Sequence, residues 1–169
     1  NAFKGTRIYG DLVIPDTVTD IGEGAFYNCN GITSVTLPVN FLSIPKEAFR
    51  GCLSLVSVYS YSQLEGETEK QEANLFFVGS RAFQKCESLL NVSIGSDTNK
   101  INDHAFYECR SLGGTIDLSA LTVLGSNAFD FCSNIEEFIL PENCFQNDAF
   151  TECYKLKRFS YPDGVSESS

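Results

Sequence analysis

The amino-acid sequence predicts a solenoid, a stack of short β-units in which each unit touches only its neighbours. Three observations carry that prediction. An Ala-Phe-x-x-Cys motif recurs six times in 169 residues. A fixed apolar spacing follows each copy. No window between the motifs is long enough, or periodic enough at 3.6 residues, for more than a turn or two of helix.

The motif copies are Ala25-Phe26 with Cys29, Ala48-Phe49 with Cys52, Ala82-Phe83 with Cys86, Ala105-Phe106 with Cys109, Ala128-Phe129 with Cys132, and Ala149-Phe150 with Cys153. Successive cysteines lie 23, 34, 23, 23 and 21 residues apart. A copy at the start, Ala2-Phe3, precedes Ala25 by 23 residues and carries Thr6 in the cysteine slot. We number the units 1 to 7 from Ala2 to Ala149.

Around this anchor the apolar positions fall into columns. Three residues after the cysteine slot stand Tyr9, Ile32, Leu55, Leu89, Leu112, Ile135 and Leu156. Three further on come Leu12, Val35, Val58, Val92, Phe138 and Phe159, and two beyond those Ile14, Leu37, Ile94, Leu140 and Tyr161. The last two columns alternate as a strand with one buried face does, and a following proline (Pro15, Pro38, Pro141, Pro162) stops the ladder. Four residues before each alanine lies the closing column Ile21, Ile44, Val78, Ile101, Leu124, Phe145; Gly22, Gly79 and Gly125 follow it, suited to a turn with unusual backbone angles.

Two units depart from the pattern. Unit 3 holds 11 extra residues, placed at about 61–74, which read as a surface loop near the binding face. In unit 5, Gly113-Gly114 adds one residue before the strand and one is lost later, which reads as a local bulge with the stacking restored.

These motifs resemble the leucine-rich repeats of the BspA-like surface-protein family, over essentially the whole chain from Ala2 to Pro162. The resemblance implies a leucine-rich-repeat solenoid: a right-handed curved stack of ~23-residue repeats, mainly short parallel β-strands with turns and short 3-10 or helical segments. The expected organisation is one domain over 1–162, with a partial first repeat at 1–15, followed by a tail at 163–169.

Stacking predicts the roles of the repeated residues. Seven of the 14 Phe occupy one position and should form a buried spine. Ladder neighbours have parallel Cα–Cβ vectors, whereas a disulfide needs Cβ atoms about 3.8 Å apart and facing each other. The motif cysteines are therefore expected reduced, acting as small buried weakly polar groups, a role Thr6 can also fill. Side chains strung along a line cannot surround a zinc ion. Cys144 lies outside the motif.

Composition excludes several functions. Lys and Arg number 12 against 22 Asp and Glu, a net charge of -10, which disfavours nucleic acid and anionic membranes. No apolar run approaches the roughly 18 residues of a membrane helix, and no signal peptide or lipidation motif is present. The single histidine, His104, stands before Ala105 in a slot held elsewhere by Gly24, Glu47, Arg81, Asn127 and Asp148, and is expected to be solvated. Glu65, Glu67, Glu69 and Glu72 of the insertion lack the spacing of a calcium loop. The sequon Asn91-Val92-Ser93 falls on an expected strand. We expect no catalytic residues, no cofactor, no metal and no enzyme. Methionine is absent even at position 1, which suggests a piece of a longer product.

The resemblance implies a binding or adhesion module, at the cell surface or secreted, whose partner is a host or cell-surface protein. Self-association through the repeat ends is a second kind of contact. Strand alternation points the seventh position after each cysteine slot onto the concave face. The candidate partner-binding residues there are Val13, Thr36, Tyr59, Ser93, Asp117 and Ile139, with Tyr61 beside the insertion. The alternative is a spacer or stalk presenting another domain, catalytic or carbohydrate-binding.

Overall fold

The computed structural model describes residues 1–38, 41, 43–61, 71–72, 75–92, 94, 98–141 and 148–162, with side chains set aside at 60, 61, 71 and 72. Among the described residues eleven strands run in chain order: β1 Tyr9–Val13, β2 Gly31–Pro38, β3 Ser43–Ile44, β4 Ser57–Tyr61, β5 Gln71–Glu72, β6 Phe77–Val78, β7 Lys100–Ile101, β8 Gly113–Asp117, β9 Val123–Leu124, β10 Asn134–Ile139 and β11 Arg158–Ser160. The described residues contain turns and strands and no helix of any kind.

The expected strands form one side of the solenoid. On it β1, β2 and β4 pair in parallel, as do β8, β10 and β11. On the opposite side, β3, β6, β7 and β9 make a second parallel sheet of two-residue strands. Its inward residues, Ile44, Val78, Ile101 and Leu124, are the closing column read from the sequence, and all are buried. Each strand there is too short to stand alone, so it forms only because the layer beside it supplies the matching bonds.

Between the sheets runs the Ala-Phe-x-x-Cys turn, and it is hydrogen-bonded along the stack. The Phe N–H donates to the next unit's Ala carbonyl from Phe3 through Phe129, at 2.8 to 2.9 Å. The residue before each Ala does the same where Gly24, Glu47, Arg81 and His104 donate to Lys46, Ser80, Asp103 and Ser126. Glu47, Phe49 and Gly51 reach Ser80, Ala82 and Gln84 across unit 3, so the insertion leaves the turn register intact.

The spine is a row of near-parallel rings. Phe3, Phe26, Phe49, Phe83, Phe106 and Phe129 stack with centroids 5.3 to 5.7 Å apart. Phe49, Phe83, Phe106 and Phe129 are fully buried. In the end layers Phe3 is 47% exposed and Phe150 only partly buried, so the expectation of seven buried rings fails there: each lacks a ring on one side.

The six motif cysteines are free and buried. Each thiol donates to the Phe carbonyl of the preceding unit: Cys29 to Phe3, Cys52 to Phe26, Cys86 to Phe49, Cys109 to Phe83, Cys132 to Phe106 and Cys153 to Phe129, at 3.0 to 3.3 Å. Burial, reinforced for most of the inner ones by neighbouring thiols, pushes Cys52 up to about 12 and Cys86, Cys109 and Cys132 well above their ordinary value. Thr6 bonds Phe3 within its own unit and lies 3.6 Å from the Cys29 sulfur. Cys144 and Phe145 lie outside the described residues.

Three readings need correction. Tyr9 is 73% exposed, because its ring lies against Gly31, where a Cβ would meet it at 2.5 Å; Ile8 packs on the core instead. Gly79 and Gly125 are needed for close approach, not for unusual angles: a Cβ at Gly79 would sit 2.6 Å from the Lys46 backbone nitrogen. The left-handed positions lie elsewhere, before five of the motif alanines (Gly24, Glu47, Arg81, His104, Asn127) and before each motif Cys (Asn28, Gly51, Lys85, Glu108, Phe131, Glu152), with φ between 56° and 73°. The slot of His104 is therefore a constrained turn position. Its side chains pair across the turn: Glu47 with Arg50 at 2.9 Å, Asn127 with Asp130 at 2.7 Å, and the His104 ring 5.3 Å from that of Tyr107. His104 is half-buried, with Nδ1 enclosed and unbonded.

Candidate functional site

The candidate site is the outer stripe of the wider sheet side, where strand alternation delivers two residues per unit. Pairing puts Val13, Thr36 and Tyr59 in one row, and Asp117, Ile139 and Ser160 in another. Val13 is 56% exposed, while Tyr59, Asp117 and Ile139 are half-buried. Thr36 departs from expectation: it is 2% exposed and its hydroxyl has no hydrogen-bond partner. The Tyr61 side chain and Ser93 lie outside the described residues.

The neighbouring row, two residues back, is a chain of polar contacts. Ser34 donates to Asp11 at 2.5 Å, and Asn91 Nδ2 approaches Ser57 Oγ at 3.5 Å. At the other end Glu137 accepts two bonds from Arg158 at 2.6 and 2.7 Å, one from Thr115 at 3.2 Å, and one from Ser160. The Arg158 and Ser160 bonds hold the Glu137 carboxyl down at about 2. Asp117 accepts from the Ser119 N–H at 2.9 Å, which fixes it at the strand end. These contacts present a preset array of apolar, acidic and cationic groups. Among the described residues no cluster of His, Cys, Asp and Glu could hold a metal.

Part of the insertion joins this sheet as a strand. Its strand β5 runs antiparallel to β4, with Glu72 opposite Tyr59 and Gln71 opposite Ser60. The edge of β4 is thereby taken at Tyr59 and Ser60, and among the described residues unit 4 is joined to β4 by the bridge Ser57 to Asn91. Among the described residues the strands of the stripe group as β1, β2 and β4 at the N-terminal end and β8, β10 and β11 at the C-terminal end. The unit length of unit 3 announces surplus residues, but nothing in their order announces a strand. In unit 5 Gly114 has φ 74°, and the bulge lies on the partner strand, where Glu136 of β10 is unpaired with β8; beyond it the stacking is regular, with Ile116 paired to Phe138.

Among the cavities of the molecule, two border the wider sheet side. One of about 390 Å³ lies in the first layer, against Phe3, Ile8, Leu12, Val18, Ile21 and Phe26. The other, of about 210 Å³, lies between units 4 and 5.

A stack of ~23-residue turns with parallel strands on one side, a cysteine ladder and a phenylalanine spine defines a leucine-rich-repeat solenoid. The chain belongs to the BspA type leucine rich repeat family, whose model of six copies matches residues 1–70 and 59–169. Solved structures share the fold. A leucine-rich repeat protein of T. pallidum is 24% identical, with a TM-score of 0.73 over 89% of this chain and 68% of its own. A leucine rich cell surface protein of Faecalibacterium prausnitzii A2-165 is 23% identical, with a TM-score of 0.71 over 89% of this chain. A leucine-rich repeat protein of Bacteroides ovatus is 25% identical, with a TM-score of 0.67 over 95% of this chain. The chain spans 47% and 44% of the latter two proteins. No curated protein matches the chain.

Proposed function

We propose that residues 1–162 form one non-enzymatic protein-binding and adhesion module of a cell-surface or secreted protein, and that it recognises a partner through the concave stripe. The observation that supports this most is the contrast within each strand. Inward positions are apolar and mostly buried, whereas outward positions vary in type, running through Val13, Tyr59, Asp117 and Ile139. Half-buried Tyr59 is the main anchor, since tyrosine is among the residues that carry most interface energy when covered, and Ile139 and Val13 add apolar area beside it. The cell-surface description of the F. prausnitzii neighbour agrees with this setting.

Adhesion of the purified chain to layers of host epithelial cells tests the reading. Tyr59→Ala and Ile139→Ala should each weaken adhesion by at least about tenfold, while Glu23→Ala on an exposed turn should not. Equal losses from both regions, or none from the stripe, would remove the binding site and leave the spacer reading. That reading is supported by the chain spanning under half of two neighbours.

A further inference from the structure

Units 1 and 7 expose the same columns that the inner units bury. In unit 1, Leu12 and Ile21 are only partly buried, whereas their column mates Val35, Val58, Ile44 and Val78 are fully enclosed. Phe3 stacks on Phe26 with one face of its ring and is 47% exposed. The cavity of about 390 Å³ lies among these groups, so it opens on the side that unit 2 does not cover. In unit 7, Phe159 is exposed and Phe150 and Leu156 are partly buried, whereas Phe138, Phe129 and Ile135 in the same columns are fully buried. The stack thus carries an apolar hollow on its first layer and an apolar ring standing out from its last.

The polar groups of the two layers complement each other as well. Inside the stack each turn bonds the next one twice, as Phe129 does to Ala149 and Phe131 to Thr151, both at 2.8 Å. Among the described residues the equivalent Phe150 and Glu152 N–H groups have no backbone acceptor, and the Ala2 and Lys4 carbonyls have no backbone donor. Strands β1 and β11 are each paired along one edge, and an open edge is a template for a further strand. Continuing the registers of β1 on β2 and of β10 on β11 sets Arg158 opposite Asp11, Phe159 opposite Leu12 and Ser160 opposite Val13. Arg158 directs two donors at Glu137 and stays exposed, so three of its five N–H groups remain for the exposed Asp11 carboxylate.

We propose that unit 7 of one copy of this chain stacks on unit 1 of a second copy, head to tail, with the columns running on across the joint. Phe159 then enters the hollow beside Leu12 and reaches the Phe3 ring of the second copy. Phe138 already makes this contact one layer earlier, lying 5.2 Å from Phe129 in its own unit and 4.5 Å from Phe150 in the next. Other pairings of the same two faces lose these matches. Head-to-head contact sets the Ala2 and Lys4 carbonyls against carbonyls, and tail-to-tail contact sets Arg158 against Arg158. An unrelated extended peptide on either edge brings neither the turn groups nor the ring in register. Two different faces meet at this joint, so it does not close on two copies.

Analytical ultracentrifugation of the 169-residue chain tests the joint, at about 0.15 M salt to screen the net charge of -10. The weight-average mass should rise from one copy at ~1 µM past two copies at about 1 mM, with no plateau at two. Asp11→Lys turns a cation toward Arg158 and blocks the first face, and Phe159→Lys removes the ring and blocks the last. Each blocked chain alone should associate at least about tenfold more weakly, with its thermal midpoint showing that it is folded. Where Phe159→Lys fails to fold, Phe159→Thr takes its place. Mixed in equal amounts, the two blocked chains should form a dimer and stop there, because each retains the face that the other lacks. A chain monomeric at about 1 mM, a plateau at two copies of the unaltered chain, association undiminished by either block, or a mixture that stays monomeric would overturn the proposal.

Discussion

Truncating one ring in the middle of the spine is the sharpest test of the stack. Phe106 is fully buried, with its ring 5.3 Å from both Phe83 and Phe129. Phe106→Ala removes about 150 Å² of apolar surface from the core, worth about 4 kcal/mol at ~25 cal/mol per Å². Two stacked pairs vanish as well, and partial collapse of the cavity returns some of the loss, giving about 3–5 kcal/mol. For a chain of this length each kcal/mol lowers the midpoint by ~2–4 °C, so the fall should be roughly 6–20 °C. Phe3→Ala is the internal control, since Phe3 is 47% exposed and has a single stacked neighbour in this row. Its cost should be about 2 kcal/mol or less. Thermal and urea denaturation followed by circular dichroism measure both. A mid-stack loss under about 1 kcal/mol, or equal losses at the two positions, would refute the argument that burial in a ring stack, rather than the turn itself, holds the layers together.

Two further outcomes follow from the titrating groups. The motif thiols should react slowly with a thiol reagent in the native state and readily after denaturation. With Cys52 near 12 folded and near 9 unfolded, stability should be full below pH 9 and fall between pH 9 and 12, read as a declining urea midpoint. Disulfides in the denatured, unreduced chain would contradict the ladder. The Glu137 carboxyl is depressed from 4.5 to about 2, so its contribution is present above pH 4.5 and lost as the pH falls toward 2. Glu137→Gln should flatten that acid limb of the pH–stability profile, and an unchanged limb would show that the Arg158 pair does not act on folding.

The sequence is most informative where one residue type repeats at one spacing. Phe49, Phe83, Phe106 and Phe129 and the six cysteines each have identical neighbours above and below, so a column in the alignment is also a column in space. The left-handed turn positions do not show in the same way. Glu47, Arg81, Lys85 and Phe131 are not residues that favour positive φ, at about 1–2 kcal/mol each. The bonds from the turn to the next layer hold them there, at about 1 kcal/mol apiece, so the neighbouring unit rather than the local residue sets the angle. The outer stripe is legible in its positions but not in its exposure. Thr36 follows the same alternation as Val13, yet it is buried where Val13 is open. The pairing of β5 with β4 is not legible either, because it is a tertiary event between an insertion and the unit that carries it.

The turn ladder gives the molecule a direction. Every motif Phe N–H from Phe3 to Phe129 points toward the following layer and every motif Ala carbonyl from Ala25 to Ala149 points toward the preceding one. Along this backbone ladder a cut between two layers exposes N–H donors on one side and the matching carbonyls on the other. One whole layer can thus be duplicated or deleted and the joint still closes, provided the orientation is kept. A reversed layer would set donor against donor. Changes in length between the anchors are invisible to this joint, as unit 3 demonstrates by carrying 11 added residues while Glu47, Phe49 and Gly51 still meet their acceptors. Such an array can change its length and its loops over evolutionary time without relearning how to fold.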